Sequence, residues 1–266
     1  LAVPDLPLDS AGTKFDLPGG TITNGDLETF KPISTFSDEY FRDNVTENVT
    51  HAWYEGGDTL HPFKGVTEPQ PGDWNADGKY SWVKSPRFDG KPMQVGPLAQ
   101  MLMGYAAGHE RVTKLVNDAL SIGSSLAKTK LTAKVLHSTL GRHLARCLRA
   151  NYMAELGEKH WGMLIENIGK GDVTSFVEPV FPKGEVQGFG FHEAPRGVLS
   201  HWVVIKDGVI DNYQAVVPST WNAGPRDAEG NLGPYEASLM GNPVADAEKP
   251  LELLRTVHSF DPCLAC

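Results

Sequence analysis

Ser138-Thr139-Leu140-Gly141-Arg142-His143-Leu144-Ala145-Arg146-Cys147-Leu148-Arg149-Ala150-Asn151-Tyr152 sits inside the longest uninterrupted stretch of this chain, Thr132 to Ile168. That stretch holds no proline, and its only internal glycines are at 141, 157 and 162. Apolar or aromatic residues recur at Leu136, Leu140, Leu144, Leu148, Tyr152 and Leu156, an i, i+4 spacing that predicts one helix. At about 1.5 Å per residue it would span roughly 55 Å, enough to cross a domain as a central scaffold.

Upstream, residues 1–35 are rich in Pro and Gly, including Gly19-Gly20, and read as irregular chain with short strands. Ser37 is placed to cap a helix running to Thr50, with Phe41, Val45 and Val49 on one face. Residues 55–92 are again Gly/Pro-rich, with aromatic turns such as Asp77-Gly78-Lys79-Tyr80-Ser81-Trp82. Helical spacing returns after Pro97 through Leu98, Leu102 and Tyr105, and again over 109–122. Downstream of Pro182 the period changes. Val186–Phe191, Val198–Lys206 and Val209–Val217 read as strands, with Asp207-Gly208 a hairpin turn. A loop over 222–233 leads to short helices started by Pro234 and Pro250.

A chain of 266 residues allows one large or two ordinary domains, and 40% hydrophobic residues suffice for a core. A formal charge of −9 argues against nucleic acid or an anionic membrane as the main partner. No apolar run approaches the roughly 18 residues of a spanning helix. Without an initiator Met or a signal-peptide pattern, Leu1 reads as a cut or an ordering boundary. The triplets Asn44-Val45-Thr46 and Asn48-Val49-Thr50 match glycosylation acceptors and read here as solvated helix positions.

Three cysteines cannot frame a domain this size with disulfides. Cys147 reads as a packed thiol. Cys263-Leu264-Ala265-Cys266 is a Cys-x-x-Cys pair behind the helix-stopping Pro262. Thiolates at this spacing can point the same way and hold one soft metal ion, with other polypeptide closing the site. Redox pairing and unremarkable chain-end cysteines are the alternatives the spacing leaves open.

Several segments together resemble the large subunit of nickel–iron hydrogenases. They are Phe191-His192-Glu193-Ala194-Pro195-Arg196-Gly197, Val216-Val217-Pro218-Ser219-Thr220-Trp221-Asn222 and His258-Ser259-Phe260-Asp261-Pro262-Cys263-Leu264-Ala265-Cys266. Tyr80-Ser81-Trp82-Val83-Lys84-Ser85-Pro86-Arg87 and Val95-Gly96-Pro97-Leu98-Ala99 extend the likeness to nearly the whole chain. It corresponds to the C-terminal half of such a subunit. The resemblance implies a helix-rich α+β fold with long central helices and peripheral β-hairpins, half of a larger fold. Within it, 1–94 would be irregular with short strands and one helix, 95–180 a helical core, 181–233 a β-hairpin region with active-site loops, and 234–266 the C-terminal helices and Cys pair.

The implied activity is reversible heterolytic cleavage of H2 to protons and electrons. The implied cofactor is a nickel–iron centre with carbon monoxide and cyanide on the iron. Cys263 matches the terminal nickel thiolate, able to accept a proton as dihydrogen splits, and Cys266 matches a nickel–iron bridge. The family's other two cysteines belong to an N-terminal motif absent from this sequence. Arg196 matches an arginine over the open metal position; its very high pKa favours electrostatic positioning over service as a base. Ser219 matches a hydrogen-bond donor to a cyanide, while Pro195, Leu199 and Val217 match the apolar wall around the diatomic ligands. His192 and His201, flanking the Pro-Arg turn, read as buried, hydrogen-bonded histidines, and His258 as ordering the last turn before Pro262.

The family also holds magnesium through an N-terminal glutamate, a backbone carbonyl that maps onto Ala215, and a histidine three residues past the Cys266 position. This sequence stops short of that histidine, near where a precursor tail is removed after nickel insertion, so the ligand set is incomplete. Implied partners are the chain's own N-terminal half, an iron–sulfur small subunit, H2 and an electron acceptor such as a cytochrome; nucleic acid is not one. The Trp53-Tyr54-Glu55-Gly56 and Lys84-Ser85-Pro86-Arg87 patterns resemble those of the family's periplasmic or membrane-attached group, and the resemblance implies the periplasm or the periplasmic side of the cytoplasmic membrane. Alternatives are a cofactorless, quinone-binding structural relative, or a zinc or thiol-redox module built on the Cys pair.

Overall fold

The computed structural model describes residues 1–56, 59–180 and 182–263. The chain opens with two antiparallel ribbons, β1 (Asp5–Pro7) with β2 (Phe15–Leu17), and β3 (Gly19–Thr23) with β4 (Asp26–Ile33). Helix α1 (Glu39–Asn44) is capped by the Asp38 carboxylate, which accepts the Tyr40 and Phe41 N–H groups at 3.0 and 3.3 Å. It is far shorter than the helix expected over 37–50. Val45-Thr46-Glu47-Asn48 instead form strand β5, paired antiparallel with β6 (Ser85–Phe88). The β-branched pair Val45-Thr46 favours a strand, and the partner in β6 decides the matter. Asn48 is therefore a buried strand residue, not a solvated helix position.

Three helices form the first core. Helix α2 (Pro97–Ala106) starts on proline, α3 (Glu110–Ala127) is capped by the His109 ring, and α4 (Thr139–Gly169) by Ser138, whose Oγ accepts the Gly141 N–H at 3.0 Å. The long helix begins seven residues later than its periodicity predicts. Ala133–Leu136 is a separate 3-10 turn folded back on α4, so close that a Cβ at Gly141 would stand 2.3 Å from the Leu136 carbonyl oxygen. Leu98, Leu102, Val112, Val116, Leu136 and Tyr152 pack at this core's centre. Leu140 breaks the expected stripe at 80% exposure, and Trp161, Leu164, Ile165 and Ile168 are exposed beyond Leu156. Only the N-terminal part of α4 is thus a buried scaffold.

The second core lies under a three-stranded antiparallel sheet, β7 (Glu185–Ala194), β8 (Gly197–Lys206) and β9 (Val209–Val216). Asp207 and Gly208 have φ of 50° and 82°, the paired left-handed conformation that a two-residue hairpin requires. Trp202, 1% exposed, stacks on Phe189 with centroids 4.8 Å apart and on Phe41 at 6.1 Å. Such offset aromatic contacts add to the area term and fix the sheet over α1. Short helices α5 (Pro218–Asn222), α6 (Pro234–Leu239) and α7 (Leu251–His258) follow. The molecule is helix-rich α+β with β-hairpins at its periphery. No helix among the described residues is long and apolar enough to cross a membrane.

Candidate metal centre

The β7–β8 turn is Pro195-Arg196, two residues between Ala194 and Gly197. Proline presets its own φ, and Gly197 adopts φ 127°, a conformation open to glycine. A Cβ on Gly197 would lie 2.6 Å from both the Gly96 nitrogen and Val95 Cγ2. Gly96 itself has φ 117°, so two glycine backbones meet where α2 begins. Asn222, at the end of α5, grips the same place: its amide accepts the Val95 N–H at 3.0 Å and donates to the Val95 carbonyl at 3.1 Å. Three of the sequence segments singled out above therefore converge on one joint.

The tip of that turn reaches the segment after α7. Arg196 Nε donates to the Asp261 carbonyl at 2.7 Å, and its Nη2 lies 3.3 Å from the Asp261 carboxylate. Asp261 has φ 56°, turning the chain sharply out of the helix. Two residues on, the Cys263 N–H donates to Ser219 Oγ at 3.0 Å, from the first turn of α5. Arg196, Ser219 and Cys263 are thus brought together, linked through Asp261. Leu199 and Val217 flank the paired Ser200 and Val216 at this end of the sheet and are half-buried; Pro195 is exposed. Ala215 is exposed on edge strand β9, opposite His201. Cys266 lies outside the described residues.

Several expectations are corrected here. His192 and His201 are exposed on the sheet's outer side, because their strand positions alternate away from the core. His201 Nδ1 meets the Tyr213 hydroxyl and neither histidine is a buried donor. His258 has an exposed ring, while its carbonyl accepts the Asp261 N–H at 2.9 Å in the turn before Pro262. Cys147 is exposed on α4, one position off the buried stripe.

Two functional groupings escaped the sequence reading. Asp261 was read only as part of a motif, although its carbonyl and carboxylate take both contacts from Arg196. Beside it, the Tyr235 ring packs on Phe260 at 4.8 Å, and its hydroxyl is pushed up to about 12 by burial and by Asp261. The other grouping lies under β9. Lys84 Nζ donates to Glu47 at 3.0 Å and to Thr67 Oγ1 and Gln214 Oε1 at 3.1 Å each. The residue just before Ala215 is thereby tied to the Lys84-Ser85-Pro86-Arg87 segment. Arg87, 2% exposed, donates to the carbonyls of Pro225 and Arg226 at 2.6 and 3.0 Å.

Glu193, two residues before the Pro-Arg turn, is buried and accepts the Val3 N–H at 2.8 Å. Arg149 donates to its carbonyl at 3.1 Å. Burial pushes the Glu193 carboxyl up to about 8, against the Val3 and Arg149 contacts that favour its charged form. A folded value above the ordinary ~4.3 gives a stabilising contribution that is complete below that value and lost as pH rises to about 8. Glu193→Gln, close in shape and uncharged, is expected to remove this slope. The apparent melting temperature of the wild type should fall relative to the variant between pH 5 and 8; parallel curves would refute the assignment.

The nickel-dependent hydrogenase family model matches residues 1–266. The chain is 51% identical over 267 residues to the hydrogenase-2 large chain of Escherichia coli strain K12, covering 100% of this chain and 47% of that protein. It is 40% identical to the quinone-reactive Ni/Fe-hydrogenase large chain of Wolinella succinogenes, covering 98% and 46%. The H2-activated [NiFeSe]-hydrogenase of Desulfomicrobium baculatum superposes with a TM-score of 0.77 at 31% identity, over 100% of this chain and 50% of that one. The as-isolated oxidised Ni-Fe-Se hydrogenase of D. vulgaris gives 0.76 at 32% identity, over 100% and 51%. The chain spans about half the length of the curated relatives it matches. With the family model covering the whole chain and the fold shared with these solved structures, this chain belongs to the nickel-dependent hydrogenase family.

Proposed function

We propose that this chain is the C-terminal portion of a hydrogenase catalytic subunit that reversibly cleaves H2 to protons and electrons. The convergence of Arg196 and Ser219 on Asp261–Cys263 carries the reading. The donor set fits half of a soft-metal site. Cys263 and Cys266 offer two thiolates, suited to nickel and iron. Among the described residues no group of three or more His, Cys, Asp or Glu side chains is placed to hold a metal. Two further thiolates from the N-terminal half would complete the set. When bound, a nickel–iron pair with carbon monoxide and cyanide on the iron supplies the redox chemistry that splits dihydrogen.

The chain's own residues have separable tasks. Cys263 Sγ takes the proton released at the centre. Arg196 presents fixed positive charge and aligned N–H donors. Ser219 accepts from the Cys263 N–H, which leaves its hydroxyl proton to donate to a cyanide. Pro195, Leu199 and Val217, exposed or half-buried in this chain, would exclude water once the N-terminal half covers them, strengthening those polar contacts. Ala215 offers its carbonyl to magnesium from an edge strand, whose open side has carbonyls without ladder partners.

Electrons would leave through an iron–sulfur small subunit toward a cytochrome or quinone, on the periplasmic side of the membrane. Infrared spectroscopy and nickel analysis of the assembled full-length enzyme test the reading. Bands from metal-bound carbon monoxide and cyanide, with nickel present, are expected; the absence of both would sink it.

A further inference from the structure

The site described above leaves Arg142 of α4 unused. Arg142 is 7% exposed, and its contacts go to the segment that carries Cys263. Its Nε donates to Ser259 Oγ at 2.6 Å, and its guanidinium lies 4.2 Å over the Phe260 ring. Among the described residues no carboxylate forms an ion pair with it. Ser259 is fully buried, and its hydroxyl donates to the Thr256 carbonyl at 2.5 Å. Arg142 therefore holds the residue at which α7 ends, across 117 positions of sequence.

From Ser259 the chain passes through Asp261 in the left-handed conformation on its way to Cys263. Arg142 holds Ser259 from the α4 side, Arg196 holds Asp261 from the hairpin side and Ser219 holds the Cys263 N–H from α5. We propose that Arg142 is a positioning residue for the Cys263 thiolate: by fixing the exit of α7 against α4, it sets where Cys263 stands relative to Arg196 and Ser219. This role rests on the reading of the site as a nickel–iron centre. The planar guanidinium bonds in its plane and stacks on its face at once, which a lysine ammonium cannot do.

The test uses the full-length enzyme carrying Arg142→Lys or Ser259→Ala, compared with wild type by infrared spectroscopy and steady-state kinetics. Both variants are expected to show shifted or split carbon monoxide and cyanide bands. A displacement of ~1 Å at the centre should lower kcat of Arg142→Lys on the order of 10- to 100-fold, with KM for H2 little changed. A merely structural arginine would lower the melting temperature and leave the bands of the folded fraction unmoved; that result overturns the proposal. Should Arg142→Lys not accumulate folded, Ser259→Ala decides alone, since it removes one hydroxyl and keeps the stacking. Wild-type enzyme without such bands would overturn the metal-centre reading itself, and the positioning role with it.

Discussion

Arg196→Lys is expected to abolish most turnover, lowering kcat on the order of 10²–10³-fold, the range seen when a preorganised donor at developing charge is lost. The substitution keeps the positive charge, so the loss would measure geometry. Arginine's rigid fork reaches the Asp261 carbonyl and carboxylate together. An ammonium on a flexible stem holds neither the same direction nor the same reach. The fold should tolerate the change. The turn is shaped by Pro195 and Gly197, and an ion pair about a third exposed contributes little to stability. H2-dependent dye reduction and isotope exchange, read beside an unchanged melting temperature, check this. A kcat within about threefold of wild type would remove Arg196 from the machinery.

Lys84→Met should produce the largest loss of stability, about 3–5 kcal/mol, because it strands a buried carboxylate. The side chains of Lys84 and Glu47 are 10% and 6% exposed. Burial holds the Glu47 carboxyl above the usual range even with Lys84 beside it, so its stabilising contribution declines as pH rises through the folded value. Removing the attraction moves that value higher. The cost of Lys84→Met should accordingly be greatest at pH 8 and shrink on acidification. Lys84→Met combined with Glu47→Leu, which removes both charges, should recover much of the loss. Denaturant unfolding of the full-length subunit at pH 5 and 8 measures all three; a pH-independent cost would contradict the account.

The helices α2 and α3, strands β7 to β9 and the Asp207-Gly208 turn were legible because period and punctuation agreed locally. Where they failed, a distant contact decided. Val45 to Asn48 carry the apolar spacing of a helix, yet Ser85 to Phe88 offer them a ladder. The Leu140 position fits the stripe of α4 but lies in the first turn of the helix, where it is left exposed. Arg196 and Ser219 stand out as candidates only through family resemblance and Cys263 through its spacing as well, whereas Asp261, Arg142 and Lys84 owe their contacts to partners dozens of residues away. Charged residues in ordinary local contexts carry no mark of such pairings.

The meeting of Gly96 and Gly197 has a mechanical consequence. Most catalytic side chains stand on packed neighbours that can yield by a few tenths of an ångström. Here main chain abuts main chain, with the Val95 side chain packed tightly beside the contact. A tilt of α2 at its first turn therefore passes undamped to the Pro-Arg tip. The helical core and Arg196 would then move together, with this pair of glycines as the fulcrum.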